Sequence, residues 1–82
     1  MDKYYIITFQ NTHQAIKAEE VLKVNKIICS VMPTPTMITR SCGISIIFKE
    51  DEKERVILLV EHKQLEIKAM YYKENNNYIE IN

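Results

Sequence analysis

The chain has 82 residues, 46% of them apolar, which suffices for one compact domain with one core and leaves no room for a second independently folded one. Eleven Lys plus Arg balance eleven Asp plus Glu, so neither a phosphate backbone nor an anionic membrane is an expected partner. A single glycine, Gly43, stands where average usage gives about six, which excludes a P-loop and a dinucleotide-binding fingerprint.

Two cysteines without a Cys-rich framework fit a reducing compartment. The apolar run Tyr4 to Phe9 is too short for a signal peptide core or a membrane span, so a cytoplasmic protein is expected, one domain over residues 1–82.

In chain order, Tyr4 to Phe9 is aromatic and β-branched and predicts a strand covered on both faces. Asn11 followed by Gln14 has capping-box spacing, and Ala15, Ala18 and Leu22 with Ile16 and Val21 carry a helix to about Lys23. Ile27 to Met32 predicts a second strand, ended by Pro33 and Pro35. Ile44 to Phe48 predicts a central strand, with Ile44, Ile46 and Phe48 on one face and Ser45 and Ile47 on the other. Asp51 and Glu54 repeat the capping-box spacing ahead of a second helix reaching Lys63, and the run Glu50 to Glu54 reads as its solvated start. Ile67 to Tyr72 predicts a fourth strand. Tyr78 to Ile81 suits a short fifth one, returning through the Asn-rich turn or pairing with another chain. The order is the βαββαβ arrangement of ferredoxin-like α+β folds, an antiparallel sheet with both helices on one face.

Chemistry is concentrated in one place. The connection Pro33 to Gly43 is eleven residues long, where hairpin loops commonly have two to five. It ends in Cys42-Gly43, at the start of the expected central strand. With strand order 4-1-3-2, that point lies beside the end of the first strand and the start of the first helix, bringing Asn11, Thr12 and His13 toward Cys42. Helix N–H groups and Arg40 would there favour a thiolate. Gly43 offers positive φ or close approach of another group to the backbone. The plain alternative for Cys42 is a small residue filling a strand end. Cys29 reads as a core residue, His62 as a complement to a helix C-terminus, and His13 equally as a solvated first-turn residue or a site member. Cys29, Cys42, His13 and His62 lack metal-ligand spacing, and no hydrolytic triad can be assembled. A carrier or binding protein is therefore expected rather than an enzyme.

The residues Tyr5-Ile-Ile-Thr-Phe9, Thr12-His13 leading to Ala15 and Glu19, Pro33-x-Pro35 and Ser41-Cys42-Gly43-Ile44 resemble a family of small bacterial domains of unknown function, described as putative selenium/sulfur carrier protein-like. The likeness covers about residues 4 to 72. It implies a carrier whose Cys42 holds a persulfide or perselenide, with Ser41 and Gly43 in the same motif; Arg40, Thr12 and His13 are the supporting residues expected from the topology. It implies a donor protein such as a cysteine desulfurase and an acceptor protein, with no organic cofactor. Family members often carry basic residues after the second proline, where this chain has Thr36, and Arg40 is the loop's only arginine. A different class remains open, a small sheet module that forms a homodimer or docks through a strand edge, with structural cysteines. A thiol redox sensor would need Cys29 as its resolving partner, which an interior position disfavours.

Overall fold

The computed structural model describes residues 3–35, 38 and 43–81. In these the chain forms β1 (Lys3–Thr8), α1 (Thr12–Val24), β2 (Cys29–Pro33), β3 (Ile44–Phe48), a 3-10 turn (Glu50–Glu52), α2 (Lys53–Glu61), β4 (Ala69–Glu74) and β5 (Asn77–Ile81). The five strands make one antiparallel sheet in the order β2-β3-β1-β4-β5. This is the expected 4-1-3-2 core of a ferredoxin-like α+β fold, with β5 added beyond β4. Among the described residues no helix is long and apolar enough to cross a membrane.

Alternation along the strands assigns the faces. Tyr5 and Ile7 of β1, Ile46 and Phe48 of β3 and Met70 of β4 pack with Ala18, Leu22 and Val56 of the helices. Tyr5 is the aromatic centre, 5.5 Å from Phe48 and 4.9 Å from Tyr72 between ring centroids. Burial does not stop at the helix side: Ile6, Thr8 and Ser45 of the opposite face are also buried, so β1 is covered on both faces as its composition predicts.

Both helices end alike. After the cap residue Asn25, Lys26 takes φ 59° and donates to the Lys23 carbonyl, while Ile27 donates to Leu22. After His62, Lys63 takes φ 61° and donates to Val60, while Gln64 donates to Leu59. These are Schellman motifs, whose left-handed position is ordinarily glycine. The two-residue turn from β4 to β5 likewise places Asn75 at φ 57°.

Several expected boundaries move for identifiable reasons. β2 begins at Cys29 rather than Ile27, because the Ile27 N–H and side chain complete the α1 terminus. β4 begins at Ala69 rather than Ile67: Leu65 and Ile67 pack into the core from the connecting segment, and Lys68 N–H makes the first contact with β1, to the Thr8 carbonyl at 2.7 Å. Asp51 and Glu54 form no capping box. Glu52 precedes α2 without capping it, is buried, and accepts the Ile28 N–H at 2.7 Å and an Arg55 N–H at 3.0 Å. Arg55 also donates to the Asn25 carbonyl, so this carboxylate, expected on a solvated face, joins the start of α2 to the end of α1 and the entry to β2.

Candidate functional site

The end of β1, the start of α1 and the start of β3 converge because β1 and β3 run antiparallel, with Thr8 opposite Ser45. The α1 start is fixed by its own sequence. Asn11 accepts the Gln14 N–H at 2.8 Å, and the Gln14 side chain returns to accept the Gln10 N–H at 3.0 Å, one residue earlier than in a standard capping box. No acidic residue occupies the first turn of the helix, so its free N–H groups meet no local carboxylate.

A cavity of about 320 Å³ opens at this junction. Thr8 to Thr12 form one wall, and Thr34, Ile38, Gly43 and Ile44 a second. Lys68 and Tyr71 close the third side from β4 and the segment before it. The second wall is braced: Thr34 N–H donates to the Gly43 carbonyl at 2.9 Å, and the Thr34 and Ser45 hydroxyls lie 2.6 Å apart. The third is braced too, with the Thr8 hydroxyl donating to the Ala69 carbonyl at 3.3 Å beside the Lys68 contact. Among the described wall residues Lys68 carries the only full charge, so the cavity has a positive bias.

Of the residues expected around a thiol, Thr12 and Gly43 line this cavity, while His13 is exposed in the first turn of α1 and does not line it. Arg40, Ser41 and Cys42 lie outside the described residues. Gly43 differs from the expectation in one respect. Its φ is not positive, and a Cβ added to it would meet Thr34 Oγ1 at 3.5 Å, an ordinary contact. Neither a left-handed turn nor a tight backbone approach therefore demands glycine there.

Sequence reading does not place Lys68 and Tyr71 in this wall, nor Thr34 and Ile38. The signal for Lys68 is the register of β4: starting pairing two residues later turns a residue inside an assumed strand into one at the cavity rim. Tyr71 and Tyr72 face opposite sides, Tyr72 on the core and Tyr71 in the cavity wall.

Cys29 is half-buried, pairs with Phe48 across β2 and β3 and packs against the core. Burial raises its pKa above the ordinary thiol value, Glu19 and Glu52 raise it further, and Lys23 opposes them. Among the described residues no group of three or more His, Cys, Asp and Glu is arranged to hold a metal ion.

No curated protein and no solved structure matches this chain. The family model described as "Putative Se/S carrier protein-like" matches residues 4–72, a span that contains every described residue of the cavity wall, and the chain belongs to that family.

Proposed function

We propose that the protein carries sulfur or selenium on Cys42. The family's description suggests the reaction class, and the observation that carries the assignment is the position of Gly43. The residue bonded to Cys42 lies in the wall of a positively biased cavity beside the start of α1. Cys29 is half-buried with a raised pKa, which disfavours its thiolate.

In the proposed step the Cys42 thiolate attacks the terminal sulfur of a donor persulfide. A bond forms between Cys42 Sγ and that sulfur, the donor's S–S bond breaks, and the donor departs as a thiolate with the electron pair. Sulfane sulfur moves without net oxidation or reduction. The product loses its proton to give a terminal anion, which the α1 N–H groups and Arg40 favour, and Gly43 leaves space beside it. A thiol or other nucleophile of an acceptor protein then takes the terminal atom and releases the Cys42 thiolate. Selenium would follow the same course. Donor and acceptor are proteins in this reading, a cysteine desulfurase being the natural donor.

Incubation with a desulfurase and cysteine, followed by intact-mass measurement, tests the proposal. A one-sulfur adduct is expected in the wild type and in Cys29→Ala, and not in Cys42→Ala. Absence of any adduct with several donors would favour the strand-edge interaction module instead.

A further inference from the structure

Among the described residues the sheet has two free edges, β2 and β5, and their backbones differ in what they offer. Thr34 N–H bonds to the Gly43 carbonyl, so alternation along the antiparallel ladder turns the backbone groups of Cys29, Val31 and Pro33 away from β3. Pro33 has no N–H to offer there, which blunts the β2 edge. β5 carries no proline. Glu74 and Asn77 flank a two-residue turn, the arrangement in which the flanking pair is hydrogen-bonded. Asn77, Ile79 and Ile81 therefore bond to β4, while Tyr78 and Glu80 turn both backbone groups outward. β5 also lies wholly beyond residues 4–72, the span that matches the family model.

We propose that β5 is a dimerisation strand, pairing antiparallel with β5 of a second copy about a two-fold axis at Ile79. In this register Tyr78 lies opposite Glu80 of the second copy, and every outward N–H and C=O of both residues finds a partner. Ile79 shares the face of Tyr72, on the helix side of the sheet, and is 51% exposed; across the axis it meets its own copy. On the other face Glu80 of the second copy comes beside Tyr78, whose ring lies 5.9 Å from the Lys73 ammonium, so a carboxylate joins a row that already holds a cation. The two-fold operation repeats this match in both copies. Neighbouring registers lack it: an axis at Glu80 sets two carboxylates face to face, and one at Tyr78 sets Glu80 against the turn residue Asn76. That self-complementarity selects a second copy over an unrelated strand. The contact is one five-residue strand, so the dimer is expected to be weak and concentration-dependent. The proposal uses neither thiol and stands apart from the carrier reading.

Sedimentation equilibrium from about 1 μM to about 1 mM tests this, on wild type, Ile79→Lys, Ile79→Glu, Glu80→Pro and Val31→Lys, each checked for a native circular dichroism spectrum. Wild type and Val31→Lys should share one monomer to dimer equilibrium. Ile79→Lys and Ile79→Glu each set like charges across the axis and should weaken it at least about tenfold, and an equimolar mixture of the two should regain it. Glu80→Pro removes an outward N–H, leaves the ladder to β4 intact and should weaken the dimer likewise. In the wild type, hydrogen-exchange protection that grows with concentration should appear at the amides of Tyr78 and Glu80. That readout needs no variant, so it decides the matter even where a substitution unfolds β5. A wild type that stays monomeric throughout would overturn the inference, as would a dimer that survives the Ile79 substitutions, is abolished by Val31→Lys, or is not regained in the mixture.

Discussion

The two helix C-terminal corners and the start of β3 use backbone freedom in opposite ways. At the corners the chain adopts left-handed φ at Lys26 and Lys63, where glycine would be free of strain. At the start of β3 it places its only glycine at a residue whose φ is not positive and whose Cβ position is unobstructed. Backbone geometry therefore explains neither the absence of glycine at the corners nor its presence at position 43. What the structure does show of Gly43 is that it lines the cavity wall.

Core substitution at a corner should show the largest effect. Leu22 is fully buried and its carbonyl closes the α1 motif, so Leu22→Ala should cost about 3 kcal/mol in urea unfolding. A cost below about 1 kcal/mol would mean that the corner is not part of the core. Glu52→Ala should follow at roughly 1–3 kcal/mol, because it leaves the Ile28 N–H without its acceptor and Arg55 without its ion pair. The corner lysines work in the other direction. Lys26→Gly and Lys63→Gly should each stabilise by about 0.5–1 kcal/mol, the relief of left-handed strain less the extra unfolded-state freedom of glycine. Gly43→Ala should change stability by less than about 0.5 kcal/mol while slowing sulfur loading at Cys42. A large loss of stability there would return Gly43 to a purely structural role.

These expectations also show what can be read without a structure. The α1 start is legible because Asn11 and Gln14 act within one turn, and the strand order follows from short-range patterning and the handedness of crossovers. Glu52 is not legible: its partner Ile28 lies 24 residues away, and an acidic run beside a helix looks the same whether or not one member turns inward. The start of β4 is misread from sequence because Leu65 and Ile67 are apolar for the sake of the core rather than of a strand. Lys68 escapes notice for the same reason, since its place at the cavity depends on a register that only the Thr8 contact fixes. The proximity of Gly43 to the α1 start, by contrast, is foreseeable from topology alone.

Cys29 gives a further, smaller effect, in the pH dependence of stability. With the folded-state pKa of Cys29 raised, its thiol favours the folded protein below the ordinary unfolded value of about 8.5. As pH rises further the unfolded chain ionises first, and this contribution is lost through the folded pKa. Cys29→Ala should therefore flatten the alkaline fall in stability, measured as unfolding midpoint against pH. An unchanged slope would place the Cys29 thiol in water.

Peptide-level mass spectrometry of the wild-type chain after exposure to a persulfide donor tests the central claim most directly, because both thiols compete in one molecule. The adduct is predicted on the peptide containing Cys42, with Cys29 left as a free thiol. Equal modification of the two cysteines, or modification of Cys29 alone, would contradict a carrier site at the start of β3.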